Sequence, residues 1–358
     1  MNKKQGEIGL GWMRFTCPHS YFNDVLSLLK KHFKADLVCR NKGWNGYLMS
    51  WVGVHSIMIG LTPCLTQEQR LDLGIKKSPN EGYMTVDIPQ TALDGLNWNS
   101  HFPMWLDLMT IDGINFRRID VYYDDYERLI RPLEIKKGIE AGKIGVPRFA
   151  QMKAYEQVSL RDLKSQGETV YFGSPKSCKQ VRIYDKEQES GGEKKCDRYE
   201  VQFTDAKAEA FQRWMLEVLE VVLDCPCEKS ASAGILAGYK SALVGSIDFI
   251  DISDVPPDEP LPSNWASRFP RSDWWQKIVD GVRAAKLSVP KVRPSLESQV
   301  HWLRSQVMPA LALVRTAYRN WSVPWNAWLE RELEKGEERW SERHWNILGE
   351  AFLVSPAT

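Results

Sequence analysis

Alternation of apolar and polar residues predicts several β-strands in the first 250 residues. A half-buried strand places successive side chains on opposite faces, so a period of two marks one. Runs rich in β-branched and aromatic residues, punctuated by glycine, predict strands at 46–54, 56–61, 82–88, 114–123, 169–173, 179–186, 197–204 and 245–252. We expect these strands to form an antiparallel sheet.

A second pattern, with apolar residues three or four positions apart, predicts helices between the strands. These helices are expected at 20–34, behind a serine cap, and at 133–144, 205–223 and 231–244, with a helical turn at 103–109. In 205–223 the apolar stripe consists of Phe211, Trp214, Met215, Val218 and Val222. The fold class predicted is α+β, with a central antiparallel sheet backed by helices.

A proline-rich segment predicts the domain boundary. Residues 254–263 read DVPPDEPLPS, with four prolines and three acids. We therefore expect a catalytic region at 1–254, made of an N-terminal α+β part (1–100) and a core (110–250), then a linker at 255–263. The last domain, 264–358, contains nine of the 15 tryptophans. Its pattern predicts helices at 272–285, 295–319, 324–335 and 341–352.

The tryptophans of the last domain have two interpretations. Trp274 and Trp328 fall on apolar stripes of predicted helices, which indicates packing in a helical core. Trp302 lies off the centre of its stripe, and it is the candidate for stacking on an unpaired base.

Composition indicates an ordinary soluble protein. The chain has 358 residues, of which 43% are hydrophobic and 26% are charged. No apolar run approaches membrane-spanning length, and the polar start lacks the apolar core of a secretory signal, so we expect a cytoplasmic protein without membrane association. Seven irregularly spaced cysteines favour reduced thiols.

The net charge of +1 conceals two basic stretches. Residues 131–186 contain twelve Lys/Arg against six Asp/Glu, and residues 264–320 contain ten against three. A nucleic-acid backbone responds to such local imbalance. The same counts also describe scattered solvated side chains, so charge alone leaves both interpretations open.

Three of the predicted strands carry functional residues on one face. Their polar positions are Arg118, Asp120, Tyr122 and Asp124 in the first, Arg182, Tyr184 and Lys186 in the second, and Arg198, Glu200 and Gln202 in the third. If the strands are neighbours, this face suits phosphodiester transfer. Carboxylates would bind Mg²⁺ or Mn²⁺, tyrosine would be the nucleophile, and Arg182, Lys186 and Arg198 would stabilise developing charge. The alternative is a solvated face held by cross-strand ion pairs.

At these residues the sequence resembles the replication initiation factor family, the Rep-trans group of rolling-circle initiators and related relaxases of plasmids, filamentous phages and conjugative elements. The resemblance is carried by RIDVYYDD (118–125), VYFGSPKS (170–177), RIYDK (182–186) with Glu187 and Glu189, and RYEV (198–201) with Ala206 and Ala208. It covers about residues 110–250. RSDWW (271–275), Trp302 and Pro309 are similar to the helical tail of the phage and conjugative branch.

The resemblance implies specific roles. Tyr184 matches the family's nicking tyrosine, Asp120 its strand acid and Glu200 the acid of its closing strand. Family members cut one strand at the origin, remain joined to the 5′ end through tyrosine, and leave a 3′ hydroxyl for a host polymerase. A later strand transfer reseals the circle. The implied fold is a degenerate relative of the HUH endonuclease fold.

The six histidines never occur as H-x-H or H-x-x-x-H, so we expect carboxylates to hold the metal ion. Asp120 and Glu200 are the first ligands. Asp124 and Asp125 compete as the next one, and strand parity favours Asp124. Candidate DNA contacts are Arg118, Arg198, and Lys176 and Ser177 in the turn that precedes the tyrosine strand.

The sequence therefore predicts a metal-dependent tyrosine nickase that starts rolling-circle replication of a phage or plasmid. Its expected partners are double-stranded and single-stranded origin DNA, a host helicase and polymerase, and a second copy of the chain. The alternatives are a conjugative relaxase and an origin-binding protein that does not cut.

Overall fold

A computed structural model describes residues 6–40, 42–162, 165–225, 227–256, 259, 261–289, 296, 299–300, 303–320, 324–342, 344–345 and 347–348. The chain forms two compact units, Met1–Val289 and Pro290–Thr358. This division falls later than the predicted linker at 255–263. The reason is that residues after this segment pack into the first unit, where Trp275, Ile278 and Val279 join its hydrophobic core.

The strands form one large antiparallel sheet and one short pair. In chain order they are β1 (Gly6–Pro18), β2 (Val38–Arg40), β3 (Met49–Val52), β4 (Met58–Thr62), β5 (Tyr83–Pro89), β6 (Asn115–Asp125), β7 (Ile144–Gly145), β8 (Met152–Val158), β9 (Ser165–Phe172), β10 (Lys179–Asp185), β11 (Asp197–Thr204) and β12 (Ile250–Asp251). The large sheet has the order β2-β3-β4-β5-β1-β6-β11-β10-β9-β8, and β7 pairs with β12. The predicted antiparallel sheet is confirmed.

The helices of the first unit lie between and after these strands. They are α1 (Phe22–Phe33), α2 (Gln67–Asp72), α3 (Gln90–Leu93), α4 (His101–Met109), α5 (Pro132–Glu140), α6 (Lys186–Glu189), α7 (Asp205–Leu223), α8 (Glu228–Ser246) and α9 (Asp273–Val279). The N-cap of α1 is Tyr21 without a side-chain bond, and not the expected serine, because Ser20 lies in a 3₁₀ turn. In the described segments, no helix combines the length and apolarity that crossing a membrane requires.

The hydrophobic core lies between one face of the sheet and the helices α4, α7 and α8. Phe211 and Met215 of α7, Tyr239 of α8 and Trp105 of α4 are all fully buried there. Burying such large apolar side chains is the main favourable term in folding. The predicted stripe of α7 therefore faces the sheet, and this leaves the other sheet face to polar side chains.

Strand β1 lies at the centre of the sheet, between β5 and β6, although the sequence did not predict it. A β-bulge at Gly11 interrupts its register, since Leu10 pairs with Val121 while Trp12 pairs with Asp120. A bulge adds one residue to one strand and so shifts the side-chain alternation. Beyond the bulge, Trp12 and Arg14 therefore share the polar face with Asp120.

The second unit is helical where it is described. It contains a π-helical turn (Leu303–Val307), α10 (Met308–Asn320) and α11 (Trp325–Glu337). The ring of Trp328 lies 5.1 Å from that of Tyr318 and 5.0 Å from that of Trp325, so it packs against aromatic rings, although its helix, described in full, has no buried residue. Trp302, the candidate for base stacking, lies outside the described residues.

Candidate active site

Strands β6, β11 and β10 are adjacent, as the chemistry predicted from the sequence requires. Their register places Arg182 opposite Glu200 and Glu200 opposite Tyr122; Tyr184 lies opposite Arg198, and Arg198 opposite Asp124. Residues directly opposite one another in a sheet share a face. The predicted face of acids, cations and a tyrosine therefore exists, and we refer to it as the polar face.

Tyr184 is held inside this face and not in the hydrophobic core. Its side chain is buried, and its hydroxyl donates a hydrogen bond to Oε2 of Glu200 at 3.3 Å. The guanidinium carbon of Arg182 lies 4.9 Å from the ring centroid, and Nζ of Lys186 lies 5.8 Å from it. Burial, with the charge of Glu200, raises the pKa of Tyr184 above its usual value. Tyr184 is thus a neutral phenol that faces a carboxylate.

Glu200 connects the phenol to a cation. Its Oε1 accepts hydrogen bonds from Arg182, with Nε at 2.8 Å and Nη2 at 2.6 Å, while its Oε2 accepts the Tyr184 hydroxyl. The carboxylate is almost fully buried. A buried carboxylate needs a partner of opposite charge, and Arg182 fulfils this role.

Asp120 forms a similar pair with Arg118. Nε and Nη2 of Arg118 donate to the two Asp120 oxygens at 2.9 and 2.5 Å. Burial raises the pKa of Asp120 to about 6; Arg118 opposes this shift, while the charge of Glu200 adds to it. A Cβ at Gly11 would lie 3.5 Å from Oε2 of Glu200 and 3.6 Å from Cβ of Asp120. The bulge at Gly11 therefore lies directly beside both acids.

Asp124 and Arg198 occupy a different environment from the one predicted. Both side chains are completely buried, and Nε and Nη2 of Arg198 donate to the two Asp124 oxygens at 2.5 and 2.7 Å. The Arg198 guanidinium also stacks on the Tyr122 ring at 3.6 Å. Burying an unpaired charge at this depth costs free energy, so the two residues neutralise each other in an ion pair. The structure consequently places Asp124 in an ion pair and Arg198 away from the surface.

The acids of the polar face fit a divalent cation only in part. Among the described residues, no group of three or more His, Cys, Asp or Glu side chains is arranged to hold a metal ion. Asp124 does not fit as a donor, because Arg198 uses both of its oxygens. Asp125 turns away and accepts backbone N–H groups from Glu127 and Leu129. The oxygens of Asp120 and Glu200 are also hydrogen-bonded, to Arg118 and to Arg182 and Tyr184, but these two arginines are partly exposed, unlike the fully buried Arg198, so an ion could displace them. Mg²⁺ often binds one or two carboxylates and completes its shell with water and substrate phosphate.

The remaining predicted site residues fall into two groups. Lys186 is buried beside Tyr184 and forms an ion pair with Glu189, a residue of α6 that the sequence analysis did not single out for the site. Lys176 and Ser177 are exposed in the turn between β9 and β10. This turn lies beyond Lys179, which is about 17 Å from Tyr184 at roughly 3.3 Å per strand residue. The structure therefore does not bring Lys176 and Ser177 to the tyrosine.

The outer layer of the polar face is cationic although acids lie beneath it. Side chains of Arg14, Arg118 and Arg182 are 30%, 26% and 37% exposed, whereas those of their partners Asp87, Asp120 and Glu200 are 9%, 2% and 2% exposed. Arg14 was missed in the sequence because it lies on the unpredicted strand β1. Solvent, and any approaching polyanion, therefore meets arginine first.

Two clefts lie along the polar face. A cleft of about 360 Å³ adjoins Tyr184 and is lined by residues that include Tyr155, Tyr171, Arg182 and Glu189. A cleft of about 560 Å³ is lined by residues that include Arg14, Arg117, Arg118, Asn45, Asn80 and Gln202. Amides, aromatic rings and arginines can contact bases and phosphates. The face thus combines a nucleophile with surfaces suited to a nucleic-acid strand.

The fold and the polar face define a class of proteins with a central antiparallel sheet that carries a tyrosine and acids on its open side. The profile of the replication initiation factor family matches residues 114–323, which is more than half of the chain. The chain belongs to this family, which indicates a role in initiating DNA replication.

Comparison with solved structures agrees with this assignment at the level of the fold. A rolling-circle replication initiator protein from Geobacillus stearothermophilus has a similar structure, with a TM-score of 0.55 and 17% sequence identity. The match covers 78% of this chain and 99% of the other. No curated protein sequence shows significant similarity to the chain.

Proposed function

We propose that this protein is a rolling-circle initiator that nicks one strand of its origin through Tyr184. The observation that carries the proposal is the hydrogen bond from the Tyr184 hydroxyl to Glu200, beneath a layer of arginines. The family and the shared fold support initiation as the setting of this chemistry.

The reaction is a transesterification. The Tyr184 oxygen attacks the scissile phosphorus and forms a P–O bond, while the bond from phosphorus to the 3′ oxygen breaks. The phenol proton passes to Glu200, which already accepts it in a hydrogen bond. The leaving 3′ oxygen takes up a proton and becomes a hydroxyl that a polymerase can extend. Attack of a 3′ hydroxyl on the phosphotyrosine reverses the reaction and reseals the strand.

Burial makes proton removal the demanding part of this step. The raised pKa of Tyr184 leaves little phenolate at neutral pH, so proton transfer has to accompany attack. Arg182 and Lys186, which lie against the Tyr184 ring, would stabilise the charge that develops on the phosphorane oxygens. Arg118 would contact a neighbouring phosphate from its partly exposed position.

Asp120 and Glu200 would hold a Mg²⁺ or Mn²⁺ ion on this face. When bound, the ion would polarise the scissile phosphate as a Lewis acid. The raised pKa of Asp120 is in keeping with this role, because two neighbouring acids in a buried setting favour a counter-charge. A helicase, a polymerase and a second copy of the chain remain predicted partners.

Relaxation of a plasmid tests the proposal. A supercoiled plasmid with the replicon's own origin is incubated with protein and Mg²⁺, and open-circle product is measured on a gel. We expect nicking by the wild type and none by Tyr184→Phe, which removes only the hydroxyl. The matched control is Tyr171→Phe, in the same cleft on β9, which should nick normally. Tight origin binding without nicking by the wild type would instead indicate a non-cutting DNA-binding protein.

A further inference from the structure

A basic cleft lies outside the polar face, at the other end of β10. This cleft, of about 420 Å³, is lined by four cationic side chains, Arg148, Lys179, Lys207 and Lys286. The other residues along it are apolar or carry hydroxyl groups, and no acid lines the described cleft. We refer to it as the basic cleft.

Three of the four cations of the basic cleft donate hydrogen bonds to backbone carbonyls. Arg148 donates to the carbonyl of Gly245 at 2.6 Å, Lys179 to that of Ser246 at 2.8 Å and Lys207 to that of Leu287 at 2.6 Å. An ammonium has three donors and a guanidinium five. Most of their donors, and all of their net charge, therefore remain available for an anion.

Two structural costs accompany this arrangement. Lys207 lies in the first turn of α7, where the helix dipole disfavours a cation. Arg148 has a φ of +74°, in the left-handed region that non-glycine residues avoid. The hydrogen bonds to the C-terminal carbonyls of α8 give Arg148 and Lys179 a structural role. They do not explain why Lys207 lies here. An unfavourably placed charge or a strained backbone conformation persists where it serves a function.

Like charges gather here closely enough to affect one another. Burial lowers the pKa of Lys179 to about 8, and the charges of Arg148 and Lys207 contribute to this shift. An anion in the cleft would relieve the repulsion and raise the pKa of Lys179 again.

The cleft is already formed in the structure. A Cβ at Gly245 would lie 2.1 Å from the carbonyl oxygen of Ala285, so only glycine allows the chain at 284–288 to approach α8 this closely. The amide of Ala285 donates to the carbonyl of Ser241 at 2.9 Å, which ties this wall to the helix. Binding would therefore need little rearrangement.

We propose that the basic cleft binds backbone phosphates of the duplex DNA that flanks the nick. This proposal rests on the proposed function for the identity of the anion. Lys179 begins β10 and Tyr184 is five residues further, about 17 Å along the strand at roughly 3.3 Å per residue. Lys179 faces the helix side of the sheet with Val181, whereas Tyr184 lies on the polar face, so about five base pairs, at roughly 3.4 Å each, is the least length of duplex between them. The cleft would hold the flanking duplex, and the nicked strand would pass round the sheet to reach Tyr184.

Salt dependence of duplex binding tests the cleft. The variant Lys207→Gln/Lys286→Gln is compared with Lys30→Gln/Lys136→Gln, which removes the same charge from lysines that pair with Asp36 and Glu140 elsewhere. The probe is a fluorescent mixed-sequence duplex of about 40 base pairs, titrated in EDTA at several salt concentrations. Thermal unfolding first verifies that both variants are folded.

The slope of log K against log[salt] should become shallower by about 0.9 for each lost phosphate contact, so by roughly two units for the cleft variant. The control variant should keep the wild-type slope. Equal slopes for the two double variants would overturn the proposal. Because no cleavage is involved, this result stands whether or not Tyr184 proves to be the nucleophile.

Discussion

The hydroxyl of Tyr184 lies 3.3 Å from Oε2 of Glu200 and donates a hydrogen bond to it. The other oxygen of the same carboxylate accepts Arg182. The proposed nucleophile, the proposed proton acceptor and a cation are thus aligned across two neighbouring strands before any substrate binds. Such prior alignment lowers the entropic cost of reaching the reactive geometry.

Replacing the acceptor should slow nicking while leaving the site's shape intact. In Glu200→Gln the side chain keeps its size but can no longer take up the phenol proton. We expect the single-turnover cleavage rate to fall by about 10²–10⁴-fold. Glu156→Gln, an exposed residue of β8 that lines neither cleft of the polar face, is the control and should retain wild-type cleavage. A Glu200→Gln rate within threefold of the wild type would show that another group accepts the proton.

Breaking the buried pair of Asp124 and Arg198 should affect stability first. Asp124→Leu leaves the Arg198 charge buried without its partner, and we expect a loss of about 3–5 kcal/mol in the free energy of unfolding. The double variant Asp124→Leu/Arg198→Met should recover most of this loss. Urea unfolding measures both. A stable Asp124→Leu protein with weakened metal binding would instead make Asp124 a ligand.

Asp197 should make stability depend on pH. Burial raises its pKa from 3.8 to about 7, against the opposing charge of Arg131. The folded protein therefore retains a proton that the unfolded chain releases, and the Asp197 contribution to stability decreases as pH rises from about 4 to 7. The decrease is at most about 1.4 kcal/mol per pH unit.

The Asp197→Asn variant isolates this contribution, since other acids contribute to the pH profile of both proteins. We expect its stability to exceed that of the wild type by a margin that grows between pH 4 and pH 7. Urea unfolding at each pH gives the margin. A constant difference across this range would contradict the assignment.

Chelation should separate cutting from binding. With EDTA we expect cleavage to stop, while the affinity for duplex DNA changes by no more than a few-fold, because arginines and lysines supply the phosphate contacts. Asp120→Asn should raise the Mg²⁺ concentration for half-maximal cleavage by at least about tenfold. The matched control is Asp87→Asn, which removes an acid paired with Arg14 on the same face. Full cleavage in EDTA would exclude the metal-ion role.

The central part of the fold and site could be predicted because side-chain alternation reports the face of a strand. β10, β11 and residues 118–125 of β6 alternate without interruption, so Asp120, Tyr184 and Glu200 could be assigned to one face before their pairing was known. Helix α7 was predicted with the bounds that the structure shows, since its apolar stripe covers five turns.

Four strands, β1, β2, β7 and β8, escaped prediction, and β1 and β8 did so for different reasons. In β1 the bulge at Gly11 reverses the alternation midway, so Leu10 and Met13 share a face although they lie three positions apart. β8 lies at the edge of the sheet and has no buried position, so the sequence shows no apolar pattern.

Ion-pair partners could not be predicted even where the face was correct. Alternation places Asp124 and Arg198 on one surface, but it does not say that their side chains will engage each other and leave both unavailable to ligands. That outcome depends on the depth of burial, to which the Tyr122 ring stacked on Arg198 contributes. The same limit applies to Lys186, which was expected to face the phosphate and is paired with Glu189.

Mapping the covalent adduct tests the account most directly. Wild-type protein is incubated with a single-stranded oligonucleotide that spans the nick site, the product is digested with trypsin and nuclease, and the modified peptide is sequenced by mass spectrometry. We predict a 5′-phosphonucleotide on Tyr184 and an unmodified Tyr184 peptide when Mg²⁺ is omitted. Cleavage with the adduct on another residue, such as Tyr122 or Tyr123, or cleavage without an adduct, would contradict the assignment of Tyr184 as the nucleophile.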